Sequence, residues 1–362
     1  MFTALLLSSN AMIQNDPGVI IGPISQVLGW IIDFAFNFVY PITEKNSLGI
    51  SIIVLTVLMR LAMVPLALKS HKSMIAMQKL TPEMDKIKKK YGDSKDPEIQ
   101  RKMNAEIQAL YSKHKVNPLG GCLPMLIQMP IFFALNYLMN TSYVFIPKIK
   151  TLYGQLAEAI TSVPYWTGVM MNRAPSHVPK NMTIDFSPVV DPTTGVTSYK
   201  NLEKLLNKLS SEDWSVIFNG DPLNTAVKSV NELASPETLA TINNLYTQKQ
   251  NIEMFLGLNL LNGAGYLWPG ILIPILAALT SVLSSWLMQK MSEKNSASNP
   301  QMKMQNQIML FAMPIMMAFF TISYPVGVGI YWITSSLFQV VQQYVLNRSS
   351  GIRLFPIKKE PR

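Results

Sequence analysis

Apolar stretches long enough to cross a bilayer alternate with charged segments along this chain. Five of them hold 17 or more residues: Leu48–Leu68, Leu119–Tyr143, Leu267–Met288, Ile308–Tyr324 and Pro325–Leu346. A helix needs about 20 mainly apolar residues to span the hydrocarbon core, so each stretch predicts a transmembrane helix. The last two abut, so Ser323-Tyr324-Pro325-Val326-Gly327 must turn tightly between them. Gly18–Ile42 is also apolar, but Pro23 and a central Asp33 interrupt it. It reads as an amphipathic helix lying in the membrane interface, anchored by Trp30 and Tyr40.

The segments between the spans carry helical periodicity of their own. Residues 69–118 read as a helical hairpin, with arms over about Lys72–Tyr91 and Asp96–His114 and a break at Gly92-Asp93-Ser94. Asp96 supplies the N-cap and Pro97 the first helical position of the second arm. Met103, Ile107, Leu110 and Tyr111 repeat at helical spacing. The hairpin's basic residues include Lys86, Lys88, Lys89, Lys90, Arg101 and Lys102. Such a face is either a solvated surface or a dock for ribosome, nascent chain or lipid headgroups. Residues 144–266 are too long for a simple connection and predict a small, mostly helical inserted domain. Within it Ser235-Pro236-Glu237 starts a helix that Gly257 stops, with Leu239, Ile242, Leu245 and Tyr246 on one face. A shorter helix surrounds Leu202–Leu209.

Charge then fixes direction. Only 14% of the 362 residues are charged, against about 25% in a soluble domain. The net charge of +10 is concentrated in residues 69–115, 290–303 and 347–362, which hold 20 of the 31 basic residues. Residues 144–266 are balanced, with 9 basic and 10 acidic residues. The positive-inside rule puts the three basic segments in the cytoplasm and the insert outside. Five spans then place the N-terminus (residues 1–17) outside and the basic tail (residues 347–362) inside. The cytoplasmic loop 289–307 joins the third and fourth spans. The chain has one cysteine, Cys122, so it forms no internal disulfide. It lies too far from the N-terminus to carry a lipid anchor. MFTALLLSSNAMIQ lacks the basic start of a signal peptide.

One position stands against this apolar background. Arg60 lies near the middle of the first span, with no acidic residue in that stretch to pair with it. On insertion scales a central arginine costs about 2.5–3.5 kcal/mol. It faces water, a bundle interior or a substrate, or else it snorkels its stem to the headgroups. Other polar residues share helix faces. Thr56 precedes Arg60 by one turn, and Gln128 and Asn136 align in the second span. Thr280, Ser281, Ser284 and Ser285 cluster in the third. Trp332, Ser335, Ser336, Gln339, Gln342 and Gln343 form a stripe in the fifth. Interhelical hydrogen bonding accounts for serines in such places, but less well for an arginine. Prolines 65, 124, 130, 274 and 314 predict kinks.

The spans hold no His/Glu pair, no aspartate pair and no nucleophile with a base at useful spacing. Val326-Gly327-Val328-Gly329 opens no phosphate loop, and the methionines form no metal-ligand pattern. His177 reads as a surface histidine, and Asn181-Met182-Thr183 has meaning only in a secretory eukaryotic setting. The reading is therefore non-enzymatic, with no cofactor and no metal.

Several long motifs occur in order. Lys115-Val116-Asn117-Pro118-Leu119-Gly120-Gly121-Cys122-Leu123-Pro124-Met125-Leu126-Ile127-Gln128-Met129-Pro130-Ile131-Phe132 resembles the signature of the YidC/Oxa/Alb membrane protein insertases. Leu58-Met59-Arg60-Leu61-Ala62-Met63-Val64-Pro65-Leu66, Asn299-Pro300-Gln301-Met302 and Tyr331-Trp332 match it too. The resemblance covers Gly22–Tyr143 and Leu267–Leu346. It implies an all-α polytopic membrane protein with five transmembrane helices around a groove open to cytoplasm and lipid and closed to the outside. By the family's pattern Arg60 is the groove arginine, and Thr56 and Trp332 lie near the substrate path. Gln128, Ser284, Ser285, Ser336 and Gln339 complete the expected groove. The hairpin matches the family's cytoplasmic hairpin, and Gly22–Ile42 its interfacial helix. Two departures stand out. Ser284 or Ser285 occupies a third-span position that is glutamine in some relatives, and the insert is unusually long.

The resulting expectation is an insertase of the bacterial plasma membrane. Hydrophilic flanks of nascent membrane proteins enter the groove, and their apolar spans leave into lipid. It acts alone or with the Sec translocon, and the basic tail (Arg348, Arg353, Lys358, Lys359, Arg362) meets either the ribosome or anionic lipid. No nucleic acid or small-molecule substrate is expected. A small-anion transporter or channel using Arg60, and a scaffold for which Arg60 is dispensable, are the alternatives.

Overall fold

A computed structural model describes residues 17–92, 96–117, 123–173, 186–190, 197–220, 228–265, 268–292, 311 and 313–349. The expectations for Cys122, His177, Asn181-Met182-Thr183, Asn299-Pro300-Gln301-Met302 and the tail beyond residue 349 lie outside the described residues. The described chain is helical, apart from two hairpins of two-residue strands. Val189–Val190 (β1) pairs with Thr197–Ser198 (β2), and Met254–Phe255 (β3) with Leu258–Asn259 (β4).

The fold divides into two units: residues 1–55, 131–271 and 321–330 form the first, and residues 56–130, 272–320 and 331–362 the second. Among the described residues, two helices are long and apolar enough to cross a membrane, over Gly18–Val39 and Ser47–Met77. Leu126–Asn140, Leu272–Leu287 and Pro314–Ser323 are shorter apolar stretches.

In the first unit, helix α1 (Gly18–Val39) carries three stripes rather than two. Ser25, Leu28, Gly29, Ile32, Ala35, Phe36 and Val39 are buried. Val27, Trp30, Phe34 and Phe38 are exposed and apolar. Gln26, Asp33 and Asn37 form a polar line between these faces, and Asn37 Nδ2 donates to Asp33 Oδ1 at 3.1 Å. A helix crossing a bilayer would hold that polar line in hydrocarbon. One lying in the interface gives protein, lipid and water a stripe each.

Helix α2 (Ser47–Tyr91) starts in this unit, followed after α3 (Pro97–Lys113) by α4 (Leu123–Asn140) and the short α5 (Ser142–Phe145). The insert follows. α6 (Pro147–Thr161) buries Ile149, Leu152, Tyr153, Leu156, Ala157 and Ile160, the face that a period of about 3.6 residues creates. It packs on α8 (Lys200–Lys208) and α11 (Pro236–Glu253). α7 (Trp166–Arg173) meets α9 (Ser211–Asn219), which in turn meets α10 (Val230–Leu233). Ser210 and Asp213 form a capping box on α9, and Trp214 of that helix packs 4.4 Å from Tyr246.

Helix α11 begins as its sequence predicts: Ser235 Oγ accepts from Thr238 N–H at 3.2 Å and Pro236 is the first helical residue. It ends earlier than predicted, at Glu253. Gly257 is instead a turn residue of the β3–β4 hairpin, with φ +80°. The buried face also differs, because charged Lys249 and Glu253 join Ile242 and Ile252 on it.

The second unit holds α2 from Thr56, α3, the start of α4, α12 (Leu272–Ser292), most of α13 (Met313–Ser323), and α14 (Val326–Ser349) from Tyr331. The first predicted span and the first hairpin arm are one continuous helix of 45 residues. Between Pro65 and Pro82 no glycine or proline interrupts the sequence, so nothing ends the helix at the charged boundary. Leu80 and Met84 are buried where α3 returns with Leu110. Tyr111 Oη donates to Met84 Sδ at 3.2 Å, and Lys90 Nζ lies 3.0 Å from Glu106 Oε2. Ser73 Oγ donates to the Asn117 carbonyl at 2.9 Å and closes the base of the hairpin. Asp96 caps α3 by accepting from Glu98 N–H at 2.9 Å, as predicted.

Candidate functional site

The helical periodicity of α2 sends Leu58 and Leu61 outward. Arg60 projects onto α14. Its Nε donates to Ser335 Oγ at 2.7 Å, and its Nη2 donates to the same oxygen. Ser335 is fully buried. It follows Tyr331 by one turn, which places its hydroxyl beside that of Tyr331. The Tyr331 hydroxyl accepts from Gln128 Nε2. A polar chain Arg60–Ser335–Tyr331–Gln128 therefore joins α2, α14 and α4 inside the second unit.

The guanidinium of this chain is only half engaged. It carries five N–H donors, of which two meet Ser335. Among the described residues no other acceptor bonds it, and no Asp or Glu forms an ion pair with it. A carboxylate or phosphate matches a guanidinium fork bidentately, so the free donors suit an anionic or carbonyl-bearing guest.

The other expected residues are distributed around this pair. Thr56 is buried one turn before Arg60 on α2. Trp332 and Ser336 are buried on α14, with Gln339 half-buried one turn later. Ser284 is buried and Ser285 half-buried on α12. Further along α14, Gln342 Nε2 and Gln343 Oε1 are buried with no hydrogen-bond partner among the described residues. An unmet buried amide is costly, so this end of the stripe is also open to a polar guest. The same stripe keeps α14 below the apolarity of a typical span, although it is 24 residues long.

Of the hairpin residues, Lys86, Lys89, Lys90, Arg101 and Lys102 are exposed and Lys88 is half-buried. Lys90 is paired to Glu106, which holds the Glu106 carboxyl below the usual carboxylate range. Among the described residues no cluster of three His, Cys, Asp or Glu could hold a metal ion.

Sequence reasoning saw Tyr331 only as part of a motif and Ser335 only as one member of a stripe. Their four-residue spacing, facing an arginine on another helix, is the signal that would have singled them out.

Residues 38–176 and 222–352 match the family described as 60Kd inner membrane protein. The chain belongs to that family. Within the 60Kd inner membrane protein family, the relatives it resembles are bacterial proteins named membrane protein insertase YidC. The one from Anaeromyxobacter dehalogenans strain 2CP-C is 55% identical over 94 residues, 26% of this chain and 16% of that protein. Those from Rickettsia rickettsii strain Sheila Smith and Rickettsia felis are 30% and 31% identical over 315 residues, 87% of this chain and 38% of each relative. The chain thus spans less than two-fifths of the length of these relatives. The family match leaves out residues 177–221, which include α8 and α9 of the insert.

Proposed function

We propose that the chain is a membrane protein insertase of the bacterial plasma membrane, in which Arg60 receives the hydrophilic flank of a client. The carrying observation is the half-engaged guanidinium, held by two bonds to Ser335 with no carboxylate partner among the described residues. Family membership supports the same reading.

In this reading α2, α4, α12, α13 and α14 supply five spans, and α1 lies in the outer interface. The polar faces of α2, α4, α12 and α14 line a groove open to cytoplasm and lipid. The N-terminus and the insert are outside, and the hairpin and tail are inside. A client flank, acidic ones above all, leaves bulk water for a site that already holds a positive charge. Coulombic attraction there exceeds that in water because the effective dielectric is lower. Ser335 and Tyr331 keep the guanidinium aimed, and Thr56, Gln128, Ser284, Ser285, Trp332, Ser336 and Gln339 give the passing backbone polar partners. The client's apolar span slides past α12 and α14 into lipid, and burial of its apolar surface drives the step. No bond is made or broken. Clients are nascent membrane proteins, taken directly from the ribosome or handed on by the Sec translocon. The hairpin's lysines meet ribosome, nascent chain or headgroups.

The test is insertion of a single-span client with an acidic N-terminal tail into liposomes that hold only this protein. Protease protection of the tail reads the result. Protection with the native chain and its loss in Arg60→Ala supports the charge mechanism. Protection in both discards it.

A further inference from the structure

The long insert has no role in the reading above, yet its last residues are tied to the helices around it. We infer that residues 251–265 form a clasp, keyed by Lys249, Glu253 and Tyr153, that closes the insert-side ends of α2 and α14.

The ties are mainly main-chain bonds. Asn46 N–H, just before α2, donates to the Asn251 carbonyl at 2.8 Å. Val326 and Gly327 N–H, the first donors of α14, donate to the Asn262 and Leu260 carbonyls, each at 2.8 Å. A helix start leaves such donors without intrahelical partners, and here the clasp accepts them. Gly265 N–H also donates to the Ile322 carbonyl at 3.3 Å.

Two glycines let the parts meet. A Cβ on Gly49 would lie 2.3 Å from the Phe255 ring, so β3 plugs its phenylalanine into a notch on α2. A Cβ on Gly327 would lie 2.7 Å from Met139 Sδ and 3.3 Å from the Leu260 carbonyl. A third tie comes from the stretch outside the family match. Asn207 Nδ2 donates to the Asn140 carbonyl at the end of α4 at 2.9 Å, and Asn207 Oδ1 accepts from Ser142 Oγ at 3.2 Å.

A buried charge cluster fixes the clasp. Lys249 Nζ lies 2.6 Å from Glu253 Oε2, and the two side chains are 2% and 1% exposed. Tyr153 Oη donates to Glu253 Oε1, and Asn259 Nδ2 donates to Glu253 Oε2 at 3.3 Å. The Glu253 carbonyl accepts from Leu260 N–H at 3.0 Å, within the same hairpin that reaches α14. A buried ion pair requires its partners in place, and its best-attested use is to fix register. Here the register it fixes is that of residues 251–265. Lys249, Glu253 and Tyr153 are thus positioning residues for the outer closure, not groove residues.

The inference rests on the outer placement of the insert proposed above, and the experiment separates the two. The full chain, with Cys122→Ser and a reporter Ile52→Cys, is reconstituted into sealed vesicles. Ile52 is fully buried on α2 beside Gly327. A membrane-impermeant maleimide is added from the insert side. Tyr165→Cys, on an 83% exposed position of the insert, reports which side that is. Labelling of that reporter only from the opposite side overturns the topology, and the maleimide is then applied there. Glu253→Gln and Gly49→Ala, which open the clasp from different directions, should each speed labelling at position 52 by about tenfold or more, the signature of local opening. Asp213→Asn weakens α9 without touching the clasp and should leave the rate near background. Unchanged labelling in both clasp variants overturns the inference, as does equally fast labelling in Asp213→Asn.

Discussion

Lys249 and Arg60 are two cations held away from bulk water, and the protein treats them in opposite ways. Lys249 sits against a carboxylate at 2.6 Å, and that carboxylate also accepts from a tyrosine and an asparagine. Arg60 meets one serine hydroxyl and, among the described residues, no carboxylate. A buried charge that is fully partnered fixes structure. In the function proposed above, a charge left with spare donors inside an apolar stretch has its partner still to come. The first unit therefore holds a finished electrostatic arrangement and the second an unfinished one.

The contrast breaks most sharply at Arg60. Arg60→Ala should lower insertion of a client with an acidic flank by about a hundredfold, the scale of a lost charge-assisted contact of about 3 kcal/mol. Arg60→Lys should keep most of it. Protease protection in liposomes measures both. Equal insertion by Arg60→Ala and the native chain would remove the distinction between the two cations.

Lys249 should behave the other way round. Lys249→Met strands the Glu253 carboxylate and should destabilise the first unit by about 3–5 kcal/mol. Pairing it with Glu253→Leu should recover much of that loss. Arg60→Met strands no charge and should shift stability far less. Chemical unfolding in detergent compares the three.

Ser335→Ala sharpens the picture at a smaller scale. It removes the acceptor that aims the guanidinium, at a net cost of about 1 kcal/mol, and should reduce insertion several-fold while Ser335→Thr restores it. The smallest effect lies in the hairpin. Lys90 holds the Glu106 carboxyl below its ordinary range, so the pair's contribution is present above that range and is lost as pH falls through the lowered value. Hydrogen exchange at the hairpin tip should rise slightly on acidification, and Glu106→Gln should remove that sensitivity. The pair is open to solvent on the Lys90 side, and screening there keeps the effect small.

Much of this was legible in the sequence because it rests on local signals. Ser235-Pro236 and Asp96-Pro97 mark helix starts through capping chemistry that depends only on near neighbours. Arg60 announced itself by the cost of its surroundings. The long-range pairings were not legible. Ser335 is 275 residues from Arg60, and nothing in a polar stripe says which member an arginine will choose. Nothing in the sequence sets Lys249 and Glu253 apart from any Lys/Glu pair one turn apart, because their burial comes from α6 packing over them and not from their own helix. Gly257 carries the usual signal of a helix stop, but the chain leaves α11 four residues earlier to form the β3–β4 hairpin. The continuity of α2 is not legible because the change from apolar to charged residues at Lys69 looks in the sequence like the end of an element.

That unbroken helix has a mechanical meaning. Arg60 and Tyr91 are on one helix, in which Pro65 and Pro82 each lack the N–H that would donate to the carbonyl four residues before. At about 1.5 Å of rise per residue, Arg60 lies ~7 Å on one side of Pro65 and Tyr91 ~39 Å on the other. Turned as one piece about Pro65, arms of these lengths would move in a ratio of about five to one. A displacement of about 5 Å at the tip moves the guanidinium by ~1 Å, enough to lengthen a hydrogen bond past use. Whatever grips the hairpin would therefore also hold the handle of the charge.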